Sequence, residues 1–144
     1  AIAYILQANG FLKSDVEEAL QVYLQLCSIS VDVSDLAKLA FYFATNGRES
    51  EAICNKGVIN IAKALMITCG MYNASGKFAA FIGLPAKSGV SGAIIAVVRN
   101  GEIEQLQGPI GIGIYGPAID QVGNSVAGIE FLMHLSKEYD LFCL

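Results

Sequence analysis

Apolar residues recur every three or four positions through the first half of the chain and at every second position through much of the rest. The opening Ala1-Ile2-Ala3-Tyr4-Ile5-Leu6-Gln7-Ala8 is apolar nearly all round, which predicts a helix covered on all sides. Asn9-Gly10 closes it with the left-handed cap that glycine tolerates. Ser14-Asp15-Val16-Glu17 reads as a capping box. From Asp15 a second helix runs to about Cys27, with Ala19, Val22, Tyr23 and Leu26 as its buried stripe. Asp32 or Ser34 caps a third, whose apolar set Leu36, Leu39, Ala40 and Phe43 ends at Asn46-Gly47. A fourth starts near Asn55, carries Val58, Ile61, Ala62 and Leu65, and stops around Cys69-Gly70.

The period then changes. Phe78 to Ile82 is a short apolar run, Ala93 to Val98 is rich in Ile and Val, and Ile110, Ile112 and Ile114 alternate with glycines, which predicts three strands. Asn100-Gly101 signals a hairpin turn. Asn124 or Ser125 caps a last helix with Val126, Ile129, Leu132, Met133 and Leu135 on its buried face. Helices first, then an antiparallel sheet closed by a C-terminal helix, give an α+β fold. No repeat or linker interrupts residues 1–144, which read as a single domain.

Of the 144 residues 54% are hydrophobic and 15% charged, which excludes disorder. Polar residues interrupt every apolar stretch before it reaches the roughly 20 residues of a membrane span. The net charge of −4 and nine scattered Lys and Arg leave no footprint for nucleic acid. Cys27, Cys54, Cys69 and Cys143 have no C-x-x-C spacing and the sole histidine is His134, so no metal site is expected. Reduced thiols in a cytoplasmic protein are the simpler reading. His134, between Met133 and Leu135 on the last helix, has a surface or boundary place. The nearly all-apolar start and the low charge point to a piece of a larger domain or a subunit with a large interface.

Two phosphate-loop matches fail on context. Gly111 to Gly116 fits G-x-G-x-x-G, but its glycines alternate with isoleucines in a strand instead of opening a helix. Gly83-Leu84-Pro85-Ala86-Lys87-Ser88 lacks the glycine before lysine and leads into a β-branched run. Polar groups and glycines concentrate between Tyr72 and Gly92, where a backbone can approach a ligand and turn its N–H groups to an oxyanion. There Lys87-Ser88-Gly89 at a strand start is similar to the third signature of serine β-lactamases, whose nucleophile lies in Ser-x-x-Lys.

Larger blocks make the resemblance specific. Cys69-Gly70-Met71-Tyr72, Ser75-Gly76-Lys77-Phe78, Gly83 to Gly92, Asp120 to Gly128, and the helical Tyr23-Leu24-Gln25-Leu26-Cys27-Ser28 resemble the serine-dependent glutaminases. The similarity covers essentially the whole chain and corresponds to about the C-terminal half of that family's catalytic domain. It implies a β-lactamase-like fold, hydrolysis of L-glutamine to L-glutamate and ammonia through an acyl-enzyme, and no organic cofactor. Tyr23 and Tyr72 resemble two active-site tyrosines that bind substrate, Tyr72 with a catalytic part. Val90 resembles the residue whose main chain meets the substrate amide, and Lys87, with Ser88 and Gly89, a supporting motif. Asn73 and the run Gly116 to Asp120 depart from the family pattern without touching Tyr23, Tyr72 or Val90.

No serine in these 144 residues has lysine three places later, so the expected nucleophile and its base lie outside them. A missing N-terminal half is one expected partner; the resemblance implies further copies in a homo-oligomer and glutamine as substrate, and neither nucleic acid nor membrane is expected. The alternative is a non-catalytic interaction module that keeps the fold without the chemistry.

Overall fold

The structure, a computed structural model, describes residues 1–48 and 53–143. It divides into two compact units, Ala1–Val31 and the chain from Asp32 onward. The first is a pair of helices, α1 (Ile2–Ala8) and α2 (Val16–Cys27). Gly10, at φ +73°, follows the end of α1 as expected. Asp15, not Ser14, caps α2, accepting from the Glu17 and Glu18 amides at 3.0 and 3.1 Å. The Tyr4 hydroxyl donates to Glu17 Oε1 at 2.9 Å, occupying the carboxylate that the expected capping box would have used. The burial expected of α1 and of the α2 stripe is not found: α1 buries nothing, and Val22, Tyr23 and Leu26 are exposed while Val16 alone is buried. Two short helices have too little surface to enclose one another's side chains.

The second unit is layered around an antiparallel sheet. Helices α3 (Val33–Ala44) and α4 (Lys56–Cys69) come first, then a 3₁₀ turn at Tyr72–Ala74, α5 (Ser75–Phe81), β1 (Ala86–Ser88), β2 (Ala93–Ile103), β3 (Leu106–Tyr115) and α6 (Val126–Glu138). The strand order is β1-β2-β3, with Ala86 opposite Ala96 and Val97 opposite Gly111. Successive residues of β2 face opposite sides. Ile94, Ala96 and Val98 join Phe78, Ile82, Leu84 and Leu132 in one core, and Ile95 and Val97 join Ala40, Ala44 and Met66 in another. The sheet is thus covered on both faces, by α5 and α6 on one and by α3 and α4 on the other.

Phe78 to Ile82 forms the end of α5 and its cap rather than a strand. Phe78 and Ile82, four apart, both reach the core, and that spacing suits a helix as well as a strand; alanines at 79 and 80 favour the helix. The first strand is instead Ala86–Ser88, so Lys87 lies within a strand and not before one. Asn100-Gly101 does not turn the hairpin. β2 runs on to Ile103, the turn falls at Glu104-Gln105, and the register shifts between Val98 and Gly101. Pro109, opposite that shift, has no N–H to give the ladder, which is where a bulge is tolerated.

The helix ends follow the sequence closely. Asp32 and Asp35 form a reciprocal capping box on α3, Asn55 caps α4 through the Val58 amide at 3.0 Å, and Ser125 caps α6. The buried faces shift. Leu39 is exposed on α3; α4 buries Ile59 and Met66 instead of Val58, Ile61 and Leu65; Val126 is exposed on α6, whose Leu132 is fully enclosed. Helices with apolar residues on two sides present two stripes of the right spacing, and contact with the sheet selects one. His134 is exposed, as expected.

Gly111 and Gly113 explain the glycine pattern that imitates a nucleotide motif. A Cβ on Gly111 would lie 2.2 Å from the Phe41 nitrogen, and one on Gly113 2.4 Å from the Val33 carbonyl oxygen. These glycines seat the α3 backbone directly on β3. In the intact protein Gly111→Ala is expected to lower stability by ~1–3 kcal/mol through overpacking. Gly76→Ala, an open position in α5, is expected to raise stability by up to ~1 kcal/mol. Thermal melting followed by circular dichroism compares the two.

Candidate functional site

Helix α4 ends against the outer edge of β1, and that contact places Tyr72. A Cβ on Gly70 would fall 1.8 Å from the Ala86 carbonyl oxygen, so only glycine fits between helix and strand. The Ser88 N–H donates to the Gly70 carbonyl at 3.0 Å. Beyond the buried Met71, Tyr72 adopts a left-handed backbone, φ +53°, which costs a non-glycine residue about 1 kcal/mol or more. Ser75 offsets this from inside the next turn. Its hydroxyl accepts from the Met71 N–H at 3.0 Å and donates to the Tyr72 carbonyl at 2.7 Å.

Tyr72 is 37% exposed, and Lys87 Nζ lies 4.8 Å from its ring centroid. That is within the reach of about 6 Å for attraction between a cation and an aromatic face. The same ammonium donates to the Ser88 carbonyl. The Ser88 side chain points the other way, buried, and its hydroxyl finds no partner among the described residues.

Gly89 to Gly92 form the turn from β1 to β2, closed by Gly92 N–H to Gly89 carbonyl at 2.9 Å and by Gly89 N–H to Ala93 carbonyl at 2.9 Å. Val90 is the second residue of this turn, and β2 opens only at Ala93, not at Val90 as its place after Gly89 suggests from sequence. It is 69% exposed, and its N–H donates to no acceptor among the described residues.

A third segment closes the cluster. Asp120 Oδ1 accepts from the amides of Val122, Gly123 and Asn124 at 2.9, 2.8 and 3.0 Å. These bonds, that of Asn124 foremost, hold the Asp120 carboxyl below the usual carboxylate range. Gly123, at φ +104°, sits where Tyr72 and Val90 converge: a Cβ there would be 3.4 Å from Val90 Cγ1 and 3.6 Å from Tyr72 Cε2. Asn124 is fully buried, and its Nδ2 donates to the Met71 carbonyl at 3.2 Å.

Tyr72, Lys87, Gly89 and Val90 therefore meet in one place in the second unit. An exposed backbone N–H, a phenol and an ammonium together suit an anionic oxygen. Tyr23 belongs to the first unit, on α2, where it is 62% exposed and the neighbouring Cys27 pushes the phenol pKa up. Sequence reasoning named Ser75 and Asp120 only within family-like blocks, and Asn124 as a candidate cap of the last helix, a place that Ser125 takes. An aspartate ahead of Gly-Asn is a recognisable turn signature, but the partner of the Asn124 side chain, the Met71 carbonyl, is 53 residues away. A concavity of about 430 Å³ between α5 and α6, lined by Lys77, Phe81, Asp120 and Glu130 among others, has neither Tyr72 nor Val90 in its wall. Among the described residues no cluster of His, Cys, Asp and Glu could hold a metal ion, and no helix is long and apolar enough to cross a membrane.

The chain matches the glutaminase family model over residues 1–143. It is 56% identical to Glutaminase 2 of Bacillus cereus and 49% identical to Glutaminase 1 of Bacillus subtilis, each time over 98% of this chain and 45% of the relative. It thus spans less than half the length of these relatives. A Bacillus glutaminase crystallised in 4.3 M NaCl superposes with a TM-score of 0.89 at 47% identity, covering 99% of this chain and 48% of that one. A B. subtilis glutaminase in covalent complex with 5-oxo-L-norleucine, formed by reaction with 6-diazo-5-oxo-L-norleucine, gives a TM-score of 0.90 at 47% identity, covering 99% and 49%. Agreement in sequence and in fold over nearly every residue makes this chain a member of the glutaminase family.

Proposed function

We propose that the protein is a glutaminase that hydrolyses L-glutamine to L-glutamate and ammonia through an acyl-enzyme. The observation that carries this reading is the approach of the Tyr72 ring and the Val90 side chain to Gly123, with Lys87 over the Tyr72 ring, in a chain of this family. Its relative's covalent complex supports a nucleophile in the glutaminase site. The diazoketone of that reagent stands where glutamine has its carboxamide.

In the reaction a serine hydroxyl from outside these 144 residues attacks the side-chain amide carbon, and the carbonyl oxygen becomes negative. The Val90 N–H donates to that oxygen. Collapse breaks the C–N bond, the leaving nitrogen takes up a proton and departs as ammonia, and water then cleaves the acyl ester to glutamate. Tyr72 stands beside the scissile bond, where its phenol passes the proton or holds a donor in place. Lys87 packs over its ring and fixes it. Tyr23 keeps the substrate-binding role that the family resemblance implies, and Ser88 and Gly89 shape the strand and turn that present Val90.

Residues 1–144 form the C-terminal portion of the catalytic domain in this reading. The nucleophile comes from the rest of that domain, and a homo-oligomer is the assembly that the family resemblance implies. The free cysteines support a reducing, cytoplasmic setting.

Three assays of ammonia release test the proposal. Residues 1–144 alone are expected to give none above background, because they lack the nucleophile; turnover would overturn the reading. In the intact enzyme Tyr72→Phe is expected to lower kcat by about a hundredfold or more with folding preserved. Val90→Ala is expected to stay active within a modest factor, and Val90→Pro to lose roughly a hundredfold. Proline is favoured at the second position of such a turn, so the variant removes the donor and leaves the fold.

A further inference from the structure

The phenol of Tyr72 is only as well placed as the backbone that carries it, and that backbone belongs to no regular element. Tyr72 follows the Gly70 stop of α4, takes a left-handed φ of +53°, and starts a single 3₁₀ turn. Two buried side chains grip the peptide units on either side of it. Ser75 bonds the Met71 N–H and the Tyr72 carbonyl. Asn124 reaches across from the loop before α6 to the Met71 carbonyl at 3.2 Å. The acceptor is a carbonyl, so the end of the amide facing it is the NH₂.

Asn124 is itself anchored. Its N–H donates to the Asp120 carboxylate at 3.0 Å, and its carbonyl accepts from the Asp120 N–H at 2.8 Å. The same loop places Gly123 against the Tyr72 ring and the Val90 side chain. One loop thus holds the backbone before Tyr72 and lies beside both its ring and the Val90 side chain.

We propose that Asn124 is a positioning residue for Tyr72: by holding the Met71 carbonyl it keeps the left-handed backbone from relaxing and fixes where the phenol points. The proposal rests on the reading of Tyr72 as a catalytic residue. Two features separate positioning from plain stability. The Met71 carbonyl also accepts from the Ala74 N–H at 3.1 Å, so loss of Asn124 does not orphan it. Asn124 Oδ1 is buried without a partner among the described residues, so replacing the whole amide by an apolar group of similar size removes an unpaid desolvation together with the bond. Asn124→Leu is therefore expected to fold.

The test is a double-mutant cycle on the intact enzyme, reading kcat and KM for ammonia release from glutamine beside thermal melting. Asn124→Leu is expected to lower kcat about tenfold or more with KM within about threefold, and to change kcat by less than about threefold when Tyr72 is already Phe. Effects that multiply in full would overturn the proposal and leave the role of Tyr72 intact. So would a normal kcat for Asn124→Leu beside a crippled Tyr72→Phe. A near-normal kcat for Tyr72→Phe would overturn the role of Tyr72, and the positioning proposal with it. If Asn124→Leu fails to fold, Ser75→Ala, which cuts the tie to the Tyr72 carbonyl, takes its place in the same cycle with the same criteria.

Discussion

Strand β2 is the constraint on which the rest depends, because its neighbouring residues feed two separate cores. Ile94, Ala96 and Val98 belong to one, Ile95 and Val97 to the other. A slip of one residue would exchange the two sets and mismatch both layers, so the register is held from both faces. That register places Lys87 opposite Ile95, and so sets where β1 ends and where its turn to β2 begins. On the other side it lines Gly111 and Gly113 up under α3, where no side chain would fit.

The candidate site lies where this rigid centre meets irregular chain. Apart from Lys87 on β1, the groups that gather there lie outside the regular helices and strands: Tyr72 follows a helix stop, Val90 sits in a turn, and Gly123 lies in a loop. Such segments leave N–H groups uncommitted, as at Val90, and a ligand can use them. Their positions are borrowed from neighbours through short contacts. Gly70 abuts Ala86, Ser75 and Asn124 grip Met71 and Tyr72, and the Asp120 carboxylate gathers three successive amides. A fold of this family can in this way keep its working groups mobile in sequence terms yet fixed in space.

The places of α1 to α4 and α6, the α+β order and the family were legible in the sequence. The strand over Phe78 to Ile82, the turn at Asn100-Gly101 and the buried face of α4 were not. In each case the local pattern admits two answers. A spacing of four suits helix and strand alike, an Asn-Gly pair suits a bulge as well as a hairpin, and a helix apolar on two sides has two candidate stripes. Pro109 across the ladder and the sheet beneath α4 make the choice.

Caps, breakers and periodicity are properties of a few adjacent residues, and these the sequence determined: Asp32, Asn55 and Ser125 start their helices because each side chain reaches an amide three residues on. The Gly-rich run of β3 and the tie from Asn124 to Met71 only tertiary structure decided. The first is a close approach between a strand and a helix some 70 residues earlier, and the second a hydrogen bond across 53 residues of chain. The glycines leave a pattern without its cause and the tie leaves none, because each depends on which backbone the fold brings within a few ångströms.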